Sequence, residues 1–140
     1  MAEMMLLDTG PLVALLDRRD ADHTWSDDQL GRLHGALWTC GAVLAETMFL
    51  LRLCPGAVEH LRSLISKQLI RPASEDTSIW SRALTLMERY KNVPMSFADA
   101  CLVALSEASV QSRVFSLDRD FLIYRKNERD TIPLLAPFAD

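Results

Sequence analysis

Four carboxylates of this chain stand alone among apolar residues. Asp8 is the only charged residue between Met4 and Leu16, Glu46 the only one between Ala36 and Leu51, and Asp99 the only one between Asn92 and Ser106. Asp118 directly follows the run "VFSL", whereas most of the 19 acids lie in polar stretches. An ionised carboxylate in such a neighbourhood is costly unless something compensates it. Each acid also has a plain structural use. Asp8 can cap the helix that follows it, Asp99 lies three residues after Ser96 as in a capping box, and Asp118 can serve a turn in "LDRD". Glu46 cannot be a cap, because it lies mid-helix with Val43, Phe49 and Leu50 one turn away; a buried pair with an arginine is its alternative.

If the four converge, their mutual repulsion calls for divalent cations between them. A donor set of oxygens alone favours Mg2+ or Mn2+. His23, His34 and His60 fit neither HxxxH nor HExxH and are expected at the surface or against a partner. Bound Mg2+ lowers the pKa of a water, orients it for in-line attack on a phosphodiester and stabilises the leaving oxygen, and one acid can take the proton of that water. The sequence has no GxSxG, no GxxxxGK[ST] and no GxGxxG, which argues against triad hydrolase, nucleoside-triphosphate and dinucleotide chemistry.

Elements with the right spacing exist to bring these acids together. Short apolar runs bounded by turn signals predict strands at 4–7, 36–40, 68–73 and 113–117, with a last short one within 131–137. Helices are expected after Asp8, where Pro11 suits the first turn, and at 41–52, 57–67, 74–91 and 97–109. Residues 18–35 read as an exposed loop leading to a surface helix. The alternation predicts a three-layer α/β/α sandwich with a mostly parallel central sheet, whose sites lie beyond the carboxyl ends of the strands. Asp8 and Asp118 fall at such ends, Asp99 in a first helical turn, and Glu46 about two turns into the helix after the second strand.

The length of 140 residues suits one domain spanning 1–140, and 49% hydrophobic with 24% charged residues suits a chain that folds. A formal net charge of -4 gives no general attraction to phosphate or anionic lipid, so nucleic-acid binding must come from a local patch. Arg119, Arg125, Lys126 and Arg129 form the densest basic cluster, diluted by Asp120, Glu128 and Asp130; a solvated mixed-charge surface explains them equally well. Trp38 reads as strand core and Trp80 as helix packing, and with Trp25 they stay out of the site. Cys40, Cys54 and Cys101 form no CxxC and are expected to be reduced core residues. The start "MAEMMLLDTG" lacks the basic region of a signal peptide and no apolar run reaches membrane length, so a cytoplasmic protein without membrane contact is expected.

Taken together, "LLDTGPLVALLD", Glu46 in "LAETMFLL", "SFADACLVALSE" and "SLDRDFLIY" resemble the PIN-domain family, including the VapC-type toxins of bacterial toxin-antitoxin pairs. The match runs in order along nearly the whole chain, with Ser116 standing where that family usually has Thr. The resemblance implies that Asp8, Glu46, Asp99 and Asp118 are the catalytic and metal-binding acids of a Mg2+/Mn2+-dependent ribonuclease. Thr9 and Ser116 would support them, and Asp120 would be a further acid behind them; the basic cluster that closely follows Asp118, with Arg119, Arg125 and Lys126, is placed by its own charge and position to hold RNA phosphates near the metals. The resemblance also implies a cognate antitoxin and a homodimer. The rival from another class is a PIN-like RNA- or protein-binding regulatory module without turnover, which the presence of all four acids disfavours. A phosphoacceptor receiver domain wants adjacent acids near the first strand and a late lysine, and a haloacid-type phosphatase wants DxD. "LLDTG" offers neither arrangement of acids.

Overall fold

The computed structural model describes residues 3–139. The chain begins with β1 (Met4–Leu7), whose Leu6 and Leu7 are fully buried. It continues through α1 (Thr9–Leu16), α2 (His23–Arg32), β2 (Leu37–Thr39), α3 (Gly41–Leu50), α4 (Ala57–Ser66), β3 (Ile70–Pro72), α5 (Thr77–Arg89), α6 (Phe97–Ala108) and β4 (Ser112–Phe115). A single 3-10 turn (Arg119–Leu122) precedes β5 (Arg125–Lys126), β6 (Asp130–Thr131) and β7 (Leu134–Leu135). The fold is the expected α/β arrangement with a parallel central sheet.

Five strands form that sheet in the order β3-β2-β1-β4-β7, and every neighbouring pair is parallel. The chain builds outward from β1 through β2 to β3, then returns past α5 and α6 to lay β4 on the other side of β1. The crevice beyond the carboxyl ends of β1 and β4 is therefore a topological switch point, where parallel α/β sheets leave room for a ligand. Helix α6 is buried along most of its length, from Ala98 to Ser106, because it packs on both the sheet and α5. An amphipathic helix could not bury this much, and the near-continuous apolar sequence "FADACLVAL" supplies what the position requires.

Several elements differ from the sequence reading. The segment 131–137 divides: Asp130–Thr131 pairs antiparallel with Arg125–Lys126, and only Leu134–Leu135 joins the main sheet beside β4. Pro133, which has no N–H to give, separates the two and contributes its carbonyl to Val114 N. The β5–β6 turn runs through Asn127 (φ 52°) and Glu128 (φ 68°), both left-handed. Trp80 is 47% exposed rather than packed, and its indole N–H donates to Glu75 Oε1 at 3.2 Å. Trp38 is half-buried, with the Arg71 guanidinium 5.6 Å from its ring centroid. Cys40 and Cys101 are buried free thiols as expected, but Cys54 is only half-buried. Among the described residues no helix is long and apolar enough to cross a membrane.

Candidate active site

The parallel register sets the first contact. Leu7 is opposite Phe115, so the residues that follow, Asp8 and Ser116, leave the sheet side by side. Asp8 N donates to Phe115 O at 3.0 Å, and the Ser116 hydroxyl donates to Asp8 Oδ2 at 2.7 Å. The other carboxylate oxygen, Oδ1, accepts from Thr9 N at 2.8 Å as Asp8 caps α1. Both oxygens are thus fixed by the chain, and the acid is only 4% exposed.

The same hydroxyl reaches the next acid. Ser116 Oγ accepts from Asp118 N at 2.9 Å, and Asp118 Oδ1 accepts from Asp120 N at 2.9 Å to start the 3-10 turn. Asp118 is itself exposed, and Asp120 meets it through its backbone rather than its carboxylate. Across the crevice, Thr9 Oγ1 donates to Glu46 Oε2 at 2.9 Å, so Glu46 is oriented by a hydroxyl and not by an arginine. Asp99 does occupy a capping box with Ser96, accepting from Ser96 N at 3.4 Å while Ser96 Oγ accepts from Asp99 N at 3.0 Å.

Sequence reasoning missed Tyr124, which is fully buried and donates its hydroxyl to Asp99 Oδ2 at 3.1 Å. In "FLIYR" it is one more aromatic residue in an apolar run, and only its hydroxyl, which needs a partner once buried, points to a role. Burial, and then the neighbouring Asp99 charge, push its phenol well above the ordinary value, so it remains a donor.

Asp8, Glu46, Asp99 and Asp118 line one open cleft of about 720 Å³, together with Thr9 and Ser96. Arg119 lines it too, its guanidinium carbon 4.8 Å from the centre of the Phe138 ring. Arg125 and Lys126 do not. The Arg125 guanidinium donates to the carbonyls of Leu122, Ile123 and Tyr124, and Lys126 belongs to the β5–β6 hairpin. His23 Nδ1 is 2.6 Å from Ala14 O, away from the acids.

Electrostatics reflect the crowding. Burial raises the Asp8 carboxyl to about 7, opposed by the Ser116 and Thr9 hydrogen bonds and reinforced by the charges of Asp99 and Asp118. Burial likewise raises Asp99 to about 6, opposed by Tyr124 and Ser96 and reinforced by Asp118. A divalent cation would reverse both effects by favouring the charged forms. Among the described residues no three or more His, Cys, Asp or Glu side chains are gathered closely enough to hold a metal ion as the chain stands. Mg2+ commonly keeps several waters and takes only one or two carboxylates, so an open, all-oxygen set fits it better than a cage ion.

Comparison with known proteins agrees with the fold. The family model described as "PIN domain" matches residues 5–127. Among solved structures, VapC20 of Mycobacterium tuberculosis, described as a sarcin-ricin loop cleaving toxin, superposes with a TM-score of 0.74 at 21% identity, covering 83% of this chain and 91% of its own. VapBC2 from Rickettsia felis, bound to a DNA fragment from its promoter, gives 0.61 at 15% identity over 95% and 98%. FitAcB from Neisseria gonorrhoeae gives 0.52 at 17% over 83% and 88%. No curated protein sequence matches this chain significantly.

Proposed function

Because the chain belongs to the PIN-domain family, we propose that it is a Mg2+- or Mn2+-dependent ribonuclease and the toxin of a toxin-antitoxin pair. The observation that carries this reading is the convergence of four acids, two of them buried, on one open cleft at the switch point of the sheet. Asp8, Glu46, Asp99 and Asp118 are the metal-binding and catalytic acids in this proposal. A bound Mg2+ or Mn2+ supplies an activated water and the positive charge that an in-line phosphodiester displacement needs.

The chain's own groups do the positioning. Ser116 and Thr9 N hold the two oxygens of Asp8, and the Thr9 hydroxyl holds Glu46. The more exposed Asp118 is the acid best able to accept a proton from an attacking water, since it reaches solvent while lining the cleft. Arg119 is the cleft's own cation and contacts the RNA backbone. Arg125 and Lys126 act at most on RNA that extends past the cleft.

An antitoxin fits the surface beside the cleft. Phe49, Leu50 and Leu53 at the end of α3 are 64%, 59% and 85% exposed, and Leu50 lines the cleft. A partner covering them would also block the acids. The whole chain 1–140 acts as one domain in this reading, and a homodimer is compatible with it.

The test is cleavage. Total bacterial RNA, and first a sarcin-ricin loop RNA because VapC20 is described as cutting that element, would be incubated with the purified chain and Mn2+, and new 5′ ends mapped. Discrete cuts that vanish with EDTA and in Asp99→Asn are expected. Cuts that persist in either control would contradict the assignment.

A further inference from the structure

We propose that Tyr124 is a positioning residue that turns Asp99 toward the cleft by holding one of its two oxygens. This rests on the metal-site reading above. Asp99 Oδ2 accepts from both Tyr124 Oη and Ser96 N, whereas no hydrogen bond from the described residues reaches Oδ1. With Oδ2 occupied from behind, Oδ1 is the oxygen left for a cation. Hydrogen bonds from outside the ligand shell commonly fix ligand orientation in this way, and their loss typically costs about 10–100-fold in metal affinity.

The tyrosine is built to hold that bond still. Its ring is fully buried and meets Tyr90 and Phe121 edge-on, each with centroids 5.2 Å away. Its backbone N donates to Asp120 O, which ties it to the 3-10 turn that Asp118 starts. A single residue therefore joins the segment carrying Asp118 to the helix carrying Asp99. The competing account is that a buried hydroxyl merely needed an acceptor and found one. On that account the hydroxyl matters to folding and is indifferent to cations.

Tyr124→Phe keeps the ring and removes only the hydroxyl. Tyr90→Phe is the matched control, because its hydroxyl accepts from Arg125 N and touches none of the acids. Mn2+ binding to the metal-free chain, followed by titration calorimetry at fixed pH without RNA, separates the accounts. The expected result is a dissociation constant raised at least about tenfold in Tyr124→Phe, an unchanged one in Tyr90→Phe, and an unchanged stoichiometry in both. Equal affinities in wild type and Tyr124→Phe would overturn the proposal and leave the metal site standing. A wild-type chain that binds no Mn2+ would overturn the metal-site reading itself, and this role with it.

Discussion

At the residue scale, the capping role of an acid is compatible with the chemical role proposed for it. Asp8 caps α1 and Asp99 sits in a capping box, yet both line the cleft. The capping bonds fix the rotamers that a metal ligand needs. Asp8 has a measurable consequence. Its folded pKa of about 7 lies above the ordinary carboxylate value, so between about pH 4 and 7 the native state holds a proton that the unfolded chain releases. Stability from this group is therefore fully present below pH 4 and lost as pH rises through 7, by on the order of 4 kcal/mol for a shift of this size. In EDTA, Asp8→Asn is expected to remove that slope and to unfold at higher urea than wild type at pH 8. Urea midpoints at pH 5 and pH 8 decide it, and parallel pH profiles for the two proteins would refute the burial argument. The isolated acids were visible in sequence because a charge in an apolar run is anomalous. Tyr124 was not, because an aromatic in such a run is ordinary until its neighbours are known.

At the scale of elements, the site depends on how closely α1 approaches the segment after β4. A Cβ added at Gly10 would lie 3.2 Å from Leu117 Cβ, next to Asp118. Gly10→Ala gains helix propensity of up to about 1 kcal/mol but must push Leu117 away. We expect near-unchanged thermal stability with weaker Mn2+ binding, and equal binding would show that the segment shifts freely. The β5–β6 hairpin is fastened elsewhere: Arg82 pairs with Glu107 in two bonds of 2.7 and 3.1 Å, Glu107 accepts from Asn127 N, and Glu128 pairs with Arg82 and Arg89. The Glu107 side chain is only 9% exposed, so Arg82→Ala leaves a nearly buried charge with less compensation. A loss of about 1–3 kcal/mol in chemical denaturation is expected, and a change below 0.5 kcal/mol, the ordinary range for surface substitutions, would mean the pair is surface ornament. Strand and helix order was readable from periodicity, because alternating short apolar runs and helical spacing survive in isolation. The hairpin was not, since "RKNERDT" is polar and its strands are held by charges on α5 and α6 that lie far away in sequence.

At the scale of the whole molecule, strand order decides which acids meet. Sequence predicted that Asp8 and Asp118 end parallel strands, but only the order β2-β1-β4 puts those ends side by side and places α3 and α6 across from them. The same topology separates the basic residues, directing Arg119 into the cleft while Arg125 is spent on carbonyls of the preceding turn. Arg119→Ala is therefore expected to lower the salt slope of RNA binding by about one phosphate's worth, and Arg125→Ala to leave it unchanged. Affinities between 50 and 200 mM salt measure this, and a lowered slope in Arg125→Ala alone would reverse the assignment.

The most direct test of the central claim is thermal unfolding of wild type and Asp99→Asn with and without Mn2+. A cation that binds only the folded chain stabilises it by about 2.7 kcal/mol at a hundred times its dissociation constant. The acid cleft predicts a clear rise in melting temperature for wild type that disappears in Asp99→Asn. A rise of equal size in both proteins, or none in wild type at millimolar Mn2+, would contradict a metal site built on these acids.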